Sequence, residues 1–206
     1  MKNVSRAIRL TLLSCFVFLT LQVAADEDLI FPAQGFGMPK LIILIPGGKV
    51  PNNNYTETVH EIQKSTHVKL WVVVPAVSQR MCILDCEAKG ACSALHKVAE
   101  GVLDKAVKAG FALTEKSKNV FIAGHSLGGT CANFLIQSYP TEYAGLIVMG
   151  GYVDSKGAGS LVTYPSPVIL IGAELDGGLG RPGNLALWFR QYEEVLLAKV
   201  AAVCHY

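Results

Sequence analysis

The sequence predicts an α/β fold: a mostly parallel, doubly wound sheet with helices on both faces. Three observations carry this. The runs Leu41 to Ile45, Leu70 to Val74, Val120 to Ala123, Leu146 to Met149 and Val168 to Ile171 are continuously apolar rather than alternating, as strands covered on both faces are. Helical patterns separate them, and such alternation implies βαβ units with parallel strands. The runs also stop at Gly or Pro, in Pro46-Gly47-Gly48, Pro75, Gly124, Gly150-Gly151 and Gly172, the residues that punctuate regular structure.

Residues 1–25 have the plan of a secretory signal peptide. Lys2, Arg6 and Arg9 precede an apolar run from Leu10 to Val23, and Ala24-Ala25 stand before Asp26, which is the charged, apolar and small-residue order of a cleaved leader. The apolar run is shorter than the roughly 18 residues of a membrane span, so a retained anchor is the lesser alternative. Secretion is therefore the expectation, with one domain over residues 26–206, large enough for a sizeable core. A formal net charge of +2 without a basic cluster gives no reason to expect nucleic acid. The sequence leaves the oligomeric state open.

Beyond the leader stand Cys82, Cys86, Cys92, Cys131 and Cys204. Export favours at least one local disulfide within the first three. Their spacing before His96 also fits a metal site, C-x3-C-x5-C-x3-H, although exported thiols tend to oxidise and no second ligand pair is nearby. The odd number points to a free thiol, an intermolecular bond or a partner in further sequence.

The first strand ends in Pro46-Gly47-Gly48. A backbone that aims N–H groups at an oxyanion needs freedom of φ and no obstructing side chain, which two glycines provide; an ordinary strand-ending turn is the alternative. Asn54-Tyr55-Thr56 is an N-glycosylation acceptor. Helices are expected from Tyr55 to Ser65, from about Ser93 to Ala109 with Leu95, Val98, Val102, Leu103 and Val107 on its apolar side, from Thr130 to Tyr139, and from about Leu185 to Val203.

The stretch from Asn119 to Asn133, NVFIAGHSLGGTCAN, organises the rest. A short apolar strand runs into Gly124-His125-Ser126-Leu127-Gly128 and then into a helix, the setting of a nucleophile elbow. A serine on so sharp a turn has a strained backbone, and side chains two positions either side would collide unless absent, which Gly124 and Gly128 ensure. The helix start favours negative charge developing in acyl transfer. His125 adjoins Ser126, but its side chain should point away from the serine and be structural.

With the strand ending in Pro46-Gly47-Gly48, the G-H-S-L-G-G elbow and the strand ending in Gly172-Ala173-Glu174-Leu175-Asp176, the chain resembles the α/β-hydrolase superfamily in its serine esterase and lipase branch. Only the elbow is a specific motif. The resemblance implies a chain order of Ser, then Asp or Glu, then His. Ser126 matches the nucleophile and Asp176 the triad acid, with Asp154, one strand earlier, and Glu174 as weaker candidates. Gly48 or Lys49 would pair with Leu127 in supplying oxyanion-hole N–H groups.

The histidine departs from the pattern. The family places it after a final strand, whereas here the last helix leads directly to Cys204-His205-Tyr206, with no strand expected and His205 the one histidine beyond Asp176. Three readings follow: a fragment or truncated form whose base lies past Tyr206; a triad completed by His205; or a non-catalytic binding or interaction module that keeps the elbow as scaffold. In the enzyme reading, a carboxylic ester, of a small molecule or a lipid, is cleaved through an acyl-enzyme on Ser126 without a cofactor or metal. A thioesterase or acyltransferase would share every feature. The short interval between Ser126 and Asp176 leaves little room for a large lid, which favours accessible esters.

Overall fold

The uniformly apolar runs become central strands because both of their faces are covered. The computed structural model describes residues 26–86, 91–151, 153 and 164–172, and the backbone of 203–205. In chain order the elements are β1 (Leu29–Phe31), β2 (Pro39–Ile45), α1 (Thr56–Ser65), β3 (Lys69–Val74), α2 (Ser93–Lys108), α3 (Lys116–Asn119), β4 (Val120–His125), α4 (Leu127–Ser138), β5 (Gly145–Met149), β6 (Val168–Gly172) and β7 (Val203–His205). Short 3-10 turns at Asn52–Tyr55, Ser78–Arg80 and Cys82–Asp85 interrupt the loops after β2 and β3.

These strands form one sheet in the order β1-β3-β2-β4-β5-β6-β7. Every pairing is parallel except that of the edge strand β1, which runs antiparallel to β3. On β2, Leu41, Ile43 and Ile45 enter a core with Leu95, Val102, Leu103 and Leu135 of α2 and α4. Leu44 enters a second core with Val59 of α1. The period of two along a strand thus feeds both layers, and the expected doubly wound arrangement is the one observed.

The chain passes from β2 outward to β3, then returns to lay β4 on the opposite side of β2. That reversal makes the carboxyl ends of β2 and β4 a topological switch point, where open α/β sheets leave a crevice for ligands. Ile45 pairs with Gly124 in the register, so the Pro46-Gly47-Gly48 turn and Ser126 emerge side by side there.

Three expectations need correction. The elbow helix begins at Leu127 rather than Thr130, because glycines 128 and 129 are accommodated inside the helix instead of forming a longer turn. Where no strand was expected after the last helix, Val203–His205 form β7, pairing with Leu170, Ile171 and Gly172; an open sheet edge offers ladder bonds that a helix end cannot. β1 escaped notice because three residues are too few to show a period. The predicted leader and most of the helix expected from Leu185 lie outside the described residues.

Candidate active site

The elbow is built by close approach. A Cβ on Gly124 would overlap the carbonyl of Gly128, and one on Gly128 would overlap the carbonyl of Ile45 at the end of β2. On Gly129 it would come within 2.8 Å of Val148 Cγ1. Glycine at all three positions lets the first turn of α4 sink against β2, β4 and β5. Ser126 is carried between them at φ 52°, ψ −121°, a left-handed conformation that costs a side-chain-bearing residue about 1–3 kcal/mol. Its N–H donates to Met149 O at 2.9 Å and its carbonyl accepts from Gly129 N–H at 2.9 Å. The residue is exposed. Backbone bonds on both sides therefore hold a strained serine at the start of a helix, at the switch point of the sheet.

Gly48 and Leu127 lie together there: a Cβ on Gly48 would be 3.0 Å from Leu127 Cδ2 and 3.3 Å from Met81 Sδ. Neither residue's N–H has an acceptor among the described residues. Lys49 differs, since its N–H donates to Arg80 O at 2.7 Å; of the two donors expected on this turn, Gly48 is the one without an acceptor among the described residues. The reason offered for the glycine pair also changes. Neither glycine has a positive φ, while Lys49 does, at 61°. What the glycines supply is room: a Cβ on Gly47 would stand 2.9 Å from His125 Nδ1.

His125 turns to the α1 side of the sheet, where the Tyr55 hydroxyl meets its Nδ1 at 2.9 Å and accepts from Gly47 N–H at 2.7 Å. Burial, partly offset by the Gly47 N–H, raises the Tyr55 pKa, so the phenol stays protonated. Beside this pair Val50, Asn54, Thr58 and Met149 line a cavity of about 260 Å³. Sequence reasoning missed Tyr55, whose only signal was its place in a short loop following the glycine pair.

The cysteines close the other side. Cys86–Cys92 is the expected local bridge, and Cys82–Cys131 ties the turn after β3 to α4. Both bridges consume the thiols of the metal reading, which is therefore corrected. The turn they anchor carries Gln79 and Arg80 at φ 51° and 58°. It is held by Ser78 bonded through N–H and hydroxyl to the buried Asp85 carboxylate, and by a bidentate Arg80–Asp26 pair at 2.8 Å. These bonds fix the Arg80 carbonyl that receives Lys49.

His96 has other company. Its Nε2 lies 3.0 Å from Glu142 and 3.8 Å from Glu100, and its ring stacks on Tyr139. The three could converge on a cation, but Lys116 already bonds both carboxylates, at 2.5 and 2.6 Å. The ammonium thus already pairs with both carboxylates that would have to bind the metal.

Of the acid candidates, Asp176, Asp154 and Glu174 lie outside the described residues. The backbone of His205 pairs with Gly172 at the carboxyl end of β6, the same end of the sheet as Ser126. Three strand steps separate β7 from β4, about 14 Å at the usual spacing.

No family model matches the chain, and no curated protein resembles it in sequence at a meaningful level. Solved structures do resemble it in shape. A ferulic acid esterase superposes with TM-score 0.59 at 13% identity, over 87% of this chain and 82% of that one. The fold is α/β-hydrolase-like. A fluorophosphonate-binding serine hydrolase of Staphylococcus aureus gives TM-score 0.57 at 16% identity, over 85% and 78%, and a thermostable esterase 0.58 at 16%, over 87% and 50%. The chain thus spans about half the length of the last of these. At such identities the likeness is one of fold, and within an α/β-hydrolase-like fold function rests on the site.

Proposed function

We propose that the chain is a secreted serine hydrolase that cleaves carboxylic esters through an acyl-enzyme on Ser126. The observation that carries this is the backbone of Ser126. A left-handed serine wedged among three glycines at the switch point is local backbone strain, and strain of that kind clusters where geometry serves chemistry. A histidine takes the hydroxyl proton, the alkoxide attacks the ester carbonyl, and the Gly48 and Leu127 N–H groups hold the oxyanion with help from the start of α4; the intermediate expels the alcohol, which takes the proton from the histidine, and water then attacks the acyl-enzyme and releases the carboxylic acid. Asp176, with Asp154 as the alternative, orients the histidine. His205 is the weaker candidate that chain order offers for the base: its backbone pairs with Gly172 in β7, three strand steps from β4, so it would reach Ser126 only if β7 left the sheet edge.

The reading is tested with a fluorophosphonate probe on the mature protein from its natural source, beside a recombinant Ser126→Ala control. Labelling abolished by that substitution supports the activated serine; a folded protein that never labels sinks it. With labelling in hand, loss of p-nitrophenyl acetate hydrolysis in His205→Ala assigns the base, and retained activity removes that assignment. Parallel assays with a thioester and with an alcohol acceptor separate the thioesterase and acyltransferase versions.

One observation favours the non-catalytic alternative. Among the described residues no histidine is bonded to Ser126: His125 is taken by Tyr55 and His96 by Glu142, while His60 and His67 are exposed. A binding module of this shape would fold normally and remain silent to the probe.

A further inference from the structure

The turn after β2 has four backbone N–H groups in a row, and their partners differ. Gly47 donates to Tyr55 Oη at 2.7 Å. Lys49 donates to Arg80 O at 2.7 Å and Val50 to Gly47 O at 3.1 Å. Gly48 alone has no acceptor among the described residues. In a trans peptide the C=O and the following N–H point in opposite directions. Fixing the Gly47 carbonyl through Val50 therefore fixes where the Gly48 N–H points, and fixing the Gly47 N–H through Tyr55 fixes the peptide before it. The turn is pinned at each group around the one left over.

The pin at Tyr55 is itself braced. Tyr55 is buried, 7% exposed, its oxygen accepts from Gly47, and it meets His125 Nδ1 at 2.9 Å. With the phenol proton donated to Nδ1, the arrangement on which the proposal rests, the imidazole is the Nε2–H tautomer. Gly47 is the residue that lets the three groups meet, since a Cβ there would be 2.9 Å from His125 Nδ1 and 3.3 Å from Tyr55 Oη. His125 directly precedes Ser126, so one short chain of hydrogen bonds connects the residue before the serine with the residue before the free donor.

We propose that Tyr55, braced by His125, is a positioning residue that holds the Gly48 N–H aimed at the oxyanion formed over Ser126. The proposal deepens the serine-hydrolase reading and rests on it. Neither side chain touches the substrate. Their effect is to remove the reorganisation the turn would otherwise undergo as charge develops on the carbonyl oxygen, which is where preorganised donors contribute most. A buried tyrosine that merely satisfied its hydroxyl would affect stability and leave the chemical step alone.

The test uses the full mature chain and p-nitrophenyl acetate, with Tyr55→Phe, His125→Leu and His125→Asn, the last keeping an acceptor oxygen near the place of Nδ1. Removing an oxyanion donor outright costs on the order of 100- to 1,000-fold in kcat; loosening one should cost less, about tenfold, in Tyr55→Phe and His125→Leu. KM should move less than about twofold, because substrate binding gains little from the donor before charge forms. His125→Asn should recover most of the His125→Leu loss. Histidine ring nitrogen spectra of the unsubstituted protein should show His125 protonated at Nε2. Wild-type kcat in Tyr55→Phe, a loss carried by KM, or His125→Asn as impaired as His125→Leu overturns the positioning role while the active wild type leaves the serine-hydrolase reading standing. An Nδ1–H tautomer overturns the chain of bonds directly, whatever the activity. A wild type that neither hydrolyses the ester nor is phosphonylated at Ser126 overturns the serine-hydrolase reading and the positioning role with it.

Discussion

Two regions of the molecule spend polar groups in opposite ways. Around His96, Glu100, Lys116, Glu142 and Tyr143, charge is abundant and satisfied: Lys116 bonds both carboxylates and sits 4.4 Å from the centre of the Tyr143 ring, and Tyr143 donates to Glu100 at 3.1 Å. Around Ser126 the backbone is strained and two N–H groups lack acceptors among the described residues. The first region has the composition of a functional site and the bonding of a structural brace. The second has little composition to advertise it and keeps its donors in reserve. Unspent hydrogen-bonding capacity held in a strained frame, rather than the density of titratable groups, is what sets the Ser126 region apart.

The comparison breaks most readily at the glycines. Gly124→Ala or Gly128→Ala should cost more than about 4 kcal/mol, or abolish folding, since the added carbon meets backbone rather than a yielding side chain. Urea denaturation measures it, and a cost near 1 kcal/mol would mean that the first turn of α4 can lift away from β2.

Next come the bridges. Cys82–Cys131 closes a span of 49 residues and Cys86–Cys92 one of 6, which in the chain-entropy picture correspond to about 4 and about 2 kcal/mol. The Cys82→Ser/Cys131→Ser pair should therefore be the more damaging. It should also lower ester turnover, because Met81 and Arg80 leave the side of the Gly48 turn; equal losses from the two pairs would deny the long bridge its special place.

Strain at the elbow should be visible with the opposite sign. Ser126→Gly removes the side chain from a left-handed conformation and should stabilise the fold by about 1 kcal/mol while ending hydrolysis. Thermal unfolding shows it as a small rise in Tm, and a fall would argue that the serine is at ease.

The smallest effect belongs to the brace. Burial works against ionisation of Glu142, but hydrogen bonds from Lys116 and His96 outweigh it and hold its carboxyl below the ordinary value of 4.5. A folded-state pKa below the unfolded one adds stability above about pH 4.5 and loses it as the pH falls through the folded value. Lys116→Met should thus destabilise at pH 7 by about 1 kcal/mol at most, given the solvent screening of such a pair, with the difference from wild type closing as the pH falls below the ordinary value of 4.5 and through the lower folded one. Ester hydrolysis should be unaffected.

Much of this was legible in the chain itself. Five strands were marked by apolar runs because central parallel strands are buried on both faces, and the elbow by glycines because no other residue fits between backbones. The extra strands were not legible for a physical reason: β1 and β7 are three residues each, stabilised by an available sheet edge rather than by any local pattern. Lys49 was a plausible donor until the Arg80 carbonyl appeared across the turn, 31 positions away in the chain. Cys131 could not be paired from the sequence because its partner lies 49 residues earlier.

What the sequence determined by itself was the layered α/β architecture and the presence of a strained serine turn, since both follow from periodicity and from steric demands within a few residues. The tertiary structure alone decided which N–H groups beside that serine lack an acceptor among the described residues, which cysteines pair, and that the partner of His125, expected to point away from Ser126, is Tyr55. Those outcomes depend on what a distant segment places within about 3 Å of a given atom, and no local pattern encodes that.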